Sequence, residues 1–422
     1  MVDELRVIEI CAGAGGQALG LEAAGFEHEL AIELDESAVS TLRHNRPSWK
    51  VVQGDVADKA VWDPADYAPH EGSKPIDLFA GGVPCPPFSI AGKQLGAGDE
   101  RDLFAWAIEQ TAILRPRAVL LENVRGLSLP RFAGYRQHVL DRLREFGYVA
   151  EWRLLQASDF GVPQLRPRFV LVAMQPEDFA FFRWPEPLHE TKTVGQVLAP
   201  LMGSAGWEGT EAWARGAESI APTVVGGSKK HGGADLGPTR AKRAWASIGV
   251  DGRGVANEPP APGSVFEIGP RLTCEMVARI QGWDEGTFKW EFTGKKTSVY
   301  RQIGNAFPPP VARAIGTAIG TALHHEGEPK DLDATDAVDP LYRLLRECDD
   351  FVSAVKIAET LDLKDNAPEL DRRISILSQD FEILKEKRTA GHFYKIGSFR
   401  GFTGQEGHAR HEYFRTSRSK VS

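Results

Sequence analysis

The stretch RVIEICAGAGGQALGLEAAGF, residues 6–26, decides the fold. It begins with an apolar run, passes through Ala-Gly-Ala-Gly-Gly at 12–16, and continues with apolar residues at helical spacing. This order predicts a buried strand, a glycine turn and a helix, which is a typical opening of an α/β domain.

The same order recurs through the first half of the chain. ELAIELDESAVSTLRHN (29–45) predicts a second strand and helix, and VVQGDV (51–56) predicts a third strand. Further strand and helix patterns follow at 76–80, 102–114, 118–124, 135–147, 148–157 and 169–174. Strict alternation predicts a Rossmann-like α/β fold, with a mostly parallel sheet and helices on both faces.

Acidic residues end two of these strands, Glu33 the second and Asp55 the third. A glycine turn followed by carboxylates at strand ends is typical of a nucleotide-type cofactor site, where carboxylates accept hydrogen bonds from ribose hydroxyls. The spacing of Gly13, Gly15 and Gly16 does not match GxGxxG, and no phosphate-binding pattern accompanies it. The sequence therefore favours a nucleoside cofactor without phosphates, such as S-adenosylmethionine.

Cys85 lies in VPCPPFS (83–89), just after the strand pattern IDLFA (76–80). Proline locks φ and donates no backbone hydrogen bond, so the thiol is predicted on a stiff loop at the end of a strand. Ligands bind at such positions in open α/β sheets. A lone cysteine is most often a small buried hydrophobe, but prolines form a poor core wall, and we interpret Cys85 as reactive.

Composition excludes several classes of protein. The chain has 422 residues, of which 42% are hydrophobic and 26% are charged, as in ordinary globular proteins. Its four cysteines are scattered without a CxxC pair, which argues against a zinc site or a disulfide framework and suits a reducing cytosol. No membrane span or signal peptide is recognisable. The net charge of −8 means that DNA binding must depend on local basic patches.

Residues 176–267 break the alternation and are rich in Gly, Pro and Trp. Within them, GGSKKHGGADLGPTRAKR (226–243) has five Lys or Arg against one Asp, a basic patch suited to phosphates. A solvated charged surface is the alternative.

The end of the chain has a different pattern. An acidic linker is predicted at 326–340, followed by amphipathic helices at 352–363 and 368–387 and a hairpin at 391–402. This order resembles a winged helix-turn-helix, with Arg372 and Arg373 near bases or phosphates and Lys395 and Arg400 near the DNA backbone. A helical packing or dimerisation appendage has equal weight.

Eight blocks resemble, in order, those of the DNA (cytosine-5)-methyltransferase family, of the bacterial restriction-modification type. They are EICAGAGG (9–16), Glu33, GDV (54–56), GGVPCPPFSIAGKQ (81–94), ENV (122–124), GVPQLRPR (161–168), RLTCEMVARIQGW (271–283) and YRQIGNAFPPPVARAIG (300–316). The resemblance covers roughly 6–175 and 268–324.

The resemblance implies covalent catalysis. Addition of a thiolate to C6 of cytosine makes C5 enamine-like, so that C5 can take a methyl group from a sulfonium. Cys85 would be the nucleophile, and Glu122, with a raised pKa, would face N3 of the base. Arg166 and Arg168 complete the catalytic set, with Arg168 meeting the base O2 and orienting Glu122. The cytosine must leave the stack, and 89–102 is expected to close over it as a lid.

The resemblance also implies two sets of binding residues. The cofactor set is Cys11, Ala12, Gly13, Gly15, Gly16, Glu33, Leu34, Asp55, Val56, Pro84, Asn305 and Ala306. The substrate and DNA set is Ser89, Lys93, Gln94, Asn123, Gln164, Lys229, Lys230, Arg240, Lys242 and Arg243. Cys11 and Leu34 stand where the family often has aromatic residues that pack against the adenine, so we expect either a lower cofactor affinity or stacking supplied elsewhere. Pro86 stands where the family more usually has Gln, and some members have Pro there.

The resemblance gives a division of the chain and a function. A catalytic domain is predicted at 1–175 with 268–325, a target-recognition region at 176–267, and a C-terminal extension at 341–422. The protein is predicted to be a monomeric DNA (cytosine-5)-methyltransferase acting on double-stranded DNA in the bacterial cytoplasm, close to the nucleoid. No metal and no membrane are expected, and any restriction endonuclease would be a functional partner without physical contact. The alternatives are a tRNA cytosine-5 methyltransferase and a non-catalytic DNA-binding regulator.

Overall fold

The computed structural model describes residues 4–83, 103–188, 192–226, 233–332, 339–363, 367–389 and 391–399. Seven strands form its main sheet: β1 (Leu5–Ile10), β2 (Phe26–Glu33), β3 (Val51–Gln53), β4 (Leu78–Gly82), β5 (Ala118–Val124), β6 (Val149–Gln156) and β7 (Pro167–Met174).

The sheet is mostly parallel, as predicted. Its order is β3-β2-β1-β4-β5-β7-β6, and within it only β7 runs antiparallel to its neighbours. The order reverses between β1 and β4, so the carboxyl ends of these two strands form the topological switch point at which open α/β sheets bind ligands.

Helices cover both faces of this sheet and form the region after it. They are α1 (Gly16–Ala23), α2 (Glu36–Asn45), α3 (Leu103–Leu114), α4 (Ala133–Glu145), α5 (Pro176–Phe179), α6 (Val194–Met202), α7 (Thr210–Gly216), α8 (Thr239–Ala246), α9 (Cys274–Ile280), α10 (Lys296–Asn305) and α11 (Pro309–Leu323).

Two apolar cores lie on the two faces of the sheet. One packs under α3 and α4 and includes Phe79 and Trp106, and the other packs under α1 and α11 and includes Val7 and Ile315. Helix α11 approaches α1 closely, because a Cβ at Gly20 would lie only 2.5 Å from the Cβ of Ala312. The late helix thus returns to the first strand-turn-helix unit.

The middle region lacks strand-helix alternation, as predicted. Its described residues hold helices α5 to α8 and no strand, and isolated β-bridges join Gln164 to Ala221 and Ala256 to Thr273. Buried Trp213 and Trp245 pack with Tyr300 of α10 in one core, so this region is fastened to the wall of the switch point.

Residues 339–399, which we call the C-terminal unit, fold around a separate core that includes Leu345, Ile357 and Tyr394. The elements are α12 (Pro340–Glu347), β8 (Val352–Ser353), α13 (Ala354–Thr360), α14 (Ala367–Asp380), β9 (Phe381–Arg388) and β10 (Gly391–Phe399). The small sheet has the antiparallel order β8-β10-β9.

Three predicted elements of this unit have wrong bounds. The segment 391–402, predicted as a hairpin, holds a single strand, β10, over Gly391–Phe399, and this strand pairs with β9. The predicted helix 368–387 ends at Asp380, and Phe381–Arg388 is a strand paired with β10. Apolar residues at Leu377, Phe381 and Leu384 fit helical spacing, but alternation from Phe381 to Ile383 also fits a strand, and the pairing with β10 decides. The predicted helix 352–363 contains a two-residue strand followed by α13.

The C-terminal unit packs against α4. A Cβ at Gly134 would lie 2.6 Å from Leu377 Cδ1, and the rings of His138 and Phe381 meet edge to face at 5.3 Å. The hydroxyl of Tyr342 donates to Asp141 Oδ2 at 2.7 Å. The unit is therefore a second small fold docked on one helix of the main domain.

None of the helices in the described residues is both long and apolar enough to span a bilayer. Within the same residues, no cluster of His, Cys, Asp and Glu is arranged to hold a metal ion.

Candidate active site

The glycine turn, residues 11–16, opens the site at the end of β1. Cys11, Gly13 and Gly15 have φ values of 51°, 55° and 93°, which lie in the left-handed region that favours glycine. A Cβ at Gly15 would lie 2.6 Å from Trp290 Cζ2, and the indole N–H of Trp290 donates to Ala14 O at 2.8 Å. Trp290 therefore supports the turn on one side, and Gly13 and Gly16 line a cavity on the other.

A cavity of about 330 Å³ lies in front of the turn. Its walls come from the carboxyl ends of β1, β2, β4 and β5 and from the end of α10. The predicted cofactor residues that line it are Cys11, Ala12, Gly13, Gly16, Glu33, Leu34, Asp55, Val56, Asn305 and Ala306. The structure therefore brings most of that set, drawn from four separate blocks, around one space.

Glu33 is fastened to the glycine turn. Its Oε2 accepts from the Gly13 N–H at 2.8 Å, and its Oε1 accepts from the Asp35 N–H at 2.7 Å. Burial raises the pKa of Glu33, and these backbone hydrogen bonds oppose the rise. Asp55 lies at the next strand end, where its Oδ1 accepts from the Ala57 N–H at 3.0 Å. Two carboxylates thus stand side by side on the β2–β3 side of the cavity.

Glu122 stands on the other side of the cavity, near the end of β5 and beside Gly82 of β4 in the sheet register. The Nε of Arg168 on β7 lies 2.6 Å from Glu122 Oε1, and both side chains are about nine-tenths buried. Burial raises the pKa of Glu122, while the charges of Arg168 and Arg166 lower it. The ion pair holds one carboxylate oxygen and leaves Oε2 on the side of Gly82.

Arg166 has a different environment from Arg168. Its guanidinium donates to the carbonyls of Val224, Gly304 and Ala306 at 2.8, 2.7 and 3.0 Å, and the residue is 1% exposed. These bonds join β7 to the middle region and to the end of α10. The structure gives Arg166, predicted as a catalytic residue, the position of a clamp between three segments.

Gln164, predicted to contact DNA, is bonded to protein groups inside the structure. The residue is fully buried, its Oε1 accepts from the Val224 N–H at 2.8 Å, and its Nε2 donates to Gln281 Oε1 at 2.7 Å. The residue types in GVPQLRPR were recognisable, but sequence does not tell whether an amide faces solvent or a neighbouring backbone.

Asn123 also bonds to the backbone. Its Nδ2 donates to Val83 O at 3.4 Å and its Oδ1 accepts from the Val124 N–H at 2.8 Å. Val83 directly precedes the proline-rich loop, so Asn123 holds the point from which that loop starts.

The predicted basic patch is described only in part. Arg240 and Arg243 are exposed on α8, whose Trp245 is buried in the core, and Lys242 pairs with Asp235 at 2.7 Å. Several predicted residues lie outside the described residues: Pro84, Cys85, Ser89, Lys93, Gln94, Lys229 and Lys230. Arg400 and the predicted lid at 89–102 lie outside them too.

Sequence reasoning missed several residues of the cavity wall, and three of them have polar side chains of interest. Gln17, Arg301 and Glu9 all line it. Gln17 and Arg301 belong to recognised blocks or their direct neighbours, and Glu9 is within β1, but nothing in their spacing marks them as ligand-facing. Their positions follow from packing of α1 and α10 around the switch point.

Comparisons with known proteins give a consistent picture. The family model described as C-5 cytosine-specific DNA methylase matches residues 5–321. The chain is 61% identical over 421 residues to the Type II methyltransferase M.NaeI of Lentzea aerocolonigenes, covering 100% of both chains. It is 50% identical over 323 residues to M.NgoMIV of Neisseria gonorrhoeae, covering 76% of this chain and 98% of that one.

Among solved structures, a mutant of DNMT2 from Spodoptera frugiperda matches with a TM-score of 0.51 and 17% identity, over 75% of this chain and 99% of that chain. At that identity the likeness speaks for the fold alone.

Proposed function

The chain belongs to the C-5 cytosine-specific DNA methylase family and is a DNA cytosine-5 methyltransferase, and from this premise we propose how its residues carry the reaction. The observation that supports the proposal best is the buried Glu122–Arg168 pair, which shares one cavity with the glycine turn, Glu33 and Asp55. A catalytic acid and a nucleoside-type site at one switch point are what methyl transfer to a base requires.

The cavity suits S-adenosylmethionine. Glu33 and Asp55 offer carboxylates to ribose hydroxyls and to the adenine amine, and Cys11, Leu34 and Val56 offer apolar surface to the nucleoside. When bound, this cofactor supplies an electrophilic methyl group on a sulfonium. Glu33, Asp55 and Glu122 line one cavity, so the residues that would hold the cofactor face the same space as the proposed acid.

Cys85 is proposed as the nucleophile. It is the third residue after Gly82, whose strand lies beside that of Glu122. The thiolate adds to C6 of a flipped cytosine, so that the C5–C6 bond becomes single and C4–C5 becomes the double bond of an enamine, and C5 takes the methyl group. Loss of the C5 proton then re-forms the double bond and expels the thiolate.

Glu122 supplies a proton during the attack. Negative charge develops at N3 when C6 is attacked, and a carboxyl with a raised pKa can hold a proton for that atom. Because Arg168 occupies Oε1, the proton belongs on Oε2, on the side of Gly82. Arg168 thus orients the acid and limits how far its pKa rises.

The names of two relatives support a proposal for the biological setting of the reaction. Both are named Type II methyltransferases, so we place the chain in a bacterial restriction-modification system, acting on double-stranded DNA in the cytoplasm. Exposed Arg240 and Arg243 on α8, with Lys229 and Lys230, are the proposed phosphate contacts. The tRNA and non-catalytic alternatives have no matching observation.

The C-terminal unit favours a second candidate function, an accessory contact with duplex DNA. Its order α12-β8-α13-α14-β9-β10, with the sheet order β8-β10-β9, supports the proposal of a winged helix-turn-helix. The hairpin of β9 and β10 exposes Lys385, Lys387 and Arg388. Arg372 and Arg373 at the start of α14 both pair with Glu369, which reduces the charge they offer to DNA.

A direct experiment tests the main proposal. Purified protein, S-adenosylmethionine and unmethylated duplex DNA should yield 5-methylcytosine, detected by mass spectrometry of hydrolysed nucleosides and mapped by bisulfite sequencing. Matched reactions with tRNA should yield none. Methylation of tRNA without methylation of duplex DNA would overturn the proposal.

A further inference from the structure

Gln17 is the second residue of α1 and lines the cofactor cavity, yet the reaction described above does not use it. The residue is only 3% exposed. Within the described part of the chain, neither Nε2 nor Oε1 of its amide has a hydrogen-bond partner, and both atoms are buried. A residue of the cavity wall therefore carries a buried donor and a buried acceptor that the described protein groups leave unsatisfied.

Such an amide is costly unless a ligand satisfies it, because burying a polar group without a partner loses its hydrogen bonds to water. Gln164 shows how this chain treats a glutamine that serves the fold. Its Oε1 accepts from Val224 N–H and its Nε2 donates to Gln281 Oε1. Gln17 has the same chemistry and similar burial, but its hydrogen-bonding capacity is left for something in the cavity.

The position of Gln17 within the cavity narrows the choice of partner. A Cβ built on Gly82 would lie 3.9 Å from Gln17 Oε1 and 3.6 Å from Glu122 Oε2, so the amide stands at the β4–β5 side of the cavity. Glu33 is the last residue of β2 and Asp55 follows β3, and both strands lie on the other side of β1 from β4 in the sheet order. The amide is thus nearer to the catalytic acid than to the pair of carboxylates.

We propose that the side-chain amide of Gln17 binds the amino-acid end of the cofactor, with Oε1 accepting from the α-ammonium group and Nε2 donating to the carboxylate. The proposal rests on the proposed function, namely that the cavity takes S-adenosylmethionine. The cofactor sulfur carries three groups. With the ribose held by Glu33 and Asp55 and the methyl group presented to the base beside Glu122, the amino-acid chain would extend toward α1. A zwitterion offers a donor and an acceptor side by side, which matches one amide.

The test combines a change in the protein with a change in the ligand. Binding of S-adenosylhomocysteine and of 5′-methylthioadenosine, which lacks the amino-acid end, is measured by calorimetry on the full chain and on Gln17→Met. Loss of hydrogen bonds to charged groups should weaken S-adenosylhomocysteine by about 10- to 100-fold. Methylthioadenosine should change by less than about twofold, because it carries no group for the amide.

Two controls make the outcome specific. Asp55→Ala should weaken both ligands alike, since it acts on the nucleoside. The melting temperature of ligand-free Gln17→Met should equal or exceed that of the parent, because a buried amide without partners is removed. Equal weakening of both ligands by Gln17→Met, or a lower melting temperature with unchanged affinity for S-adenosylhomocysteine, would overturn the inference. Failure of the parent chain to bind either ligand would instead overturn the proposed cofactor.

Discussion

The cofactor cavity and the C-terminal unit hold their charged side chains in opposite ways. In the cavity, Glu33 accepts two backbone N–H groups and Glu122 is buried against Arg168. In the C-terminal unit, Glu369 pairs with Arg372 and Arg373 on the outer surface of α14. Burying a charge is expensive and fixes its direction, whereas exposed pairs contribute little to stability. The fixed, buried carboxylates suit the cavity to catalysis, whereas the exposed charges suit the C-terminal unit to an additional contact with DNA.

The matches to known proteins also distinguish the C-terminal unit from the residues before it. The family model ends at residue 321, and M.NgoMIV matches over 98% of its own length while covering only 76% of this chain. M.NaeI, in contrast, covers all of it. The family match therefore ends before the C-terminal unit, which folds around a core of its own.

Replacement of the two glutamates should separate the regions most strongly. Glu122→Gln should lower the rate of methyl transfer by about 10²- to 10⁴-fold, because the proton donor is lost, with little change in S-adenosylhomocysteine binding. Glu369→Gln, the matched change in the C-terminal unit, should leave the rate unchanged. Single-turnover methylation assays measure both. Equal rates for Glu122→Gln and the parent would remove Glu122 from the mechanism.

The pH profile sharpens the same comparison. Since burial raises the pKa of Glu122, kcat/KM of the parent should fall as the pH rises through that pKa and the proton on Oε2 is lost. The alkaline fall should be absent from the residual activity of Glu122→Gln and present in Glu369→Gln. An identical profile in all three proteins would assign the fall to another group.

Two arginines give the next largest contrast. Arg166→Met removes three hydrogen bonds to buried carbonyls and should lower the free energy of unfolding by about 3 kcal/mol or more. Arg372→Met, on the exposed surface of α14, should leave the melting temperature unchanged. Thermal unfolding of both variants checks this, and equal melting temperatures would contradict the clamp role of Arg166.

Removal of the C-terminal unit should have a milder effect. A chain ending at residue 332 should still methylate duplex DNA within about threefold of the parent rate, because the catalytic residues are kept. Its affinity for DNA should be lower and should depend less on salt, because cationic contacts are lost. An insoluble or inactive truncated chain would show instead that the unit is a structural support for α4.

The smallest expected effect concerns the contact between α4 and the C-terminal unit, where the ring of His138 meets that of Phe381. Burial, with Arg346 and Arg142 nearby, lowers the pKa of His138 to about 4, below its ordinary value near 6.5. A depressed histidine pKa favours the folded state above pH 6.5, and this contribution is lost as the pH falls toward 4. Between pH 7 and pH 5 the parent should therefore lose about 1–2 kcal/mol more stability than His138→Phe. Parallel melting curves for both proteins would contradict this.

The sequence predicted the parts of the molecule in which one residue type has few alternatives. Glycines at positive φ and carboxylates at strand ends are recognisable because other residues fit those places poorly, and the order of blocks placed Glu122 and Arg168 in one site. The amides were different. Gln17, Gln164 and Asn123 can serve a ligand or the backbone equally well, and only their packing tells which.

The C-terminal unit shows a second limit of prediction from the sequence. Leu377, Phe381 and Leu384 fit helical spacing, so the sequence alone extended α14 through a segment that is β9. Strand pairing with β10 is a non-local interaction and leaves no mark on the spacing of one segment. The order of elements was nevertheless close enough to suggest a winged helix.

Covalent trapping tests the central claim most directly, since the claim is that Cys85 attacks C6 of cytosine. Duplex DNA with 5-fluorocytosine in place of cytosine is incubated with the protein and S-adenosylmethionine, and then denatured and resolved by electrophoresis. Fluorine replaces the proton that must leave C5, so the adduct cannot resolve. We predict a denaturation-resistant protein–DNA complex with the parent chain and none with Cys85→Ser. An equal yield of complex from Cys85→Ser, or normal methylation by that variant, would contradict the account.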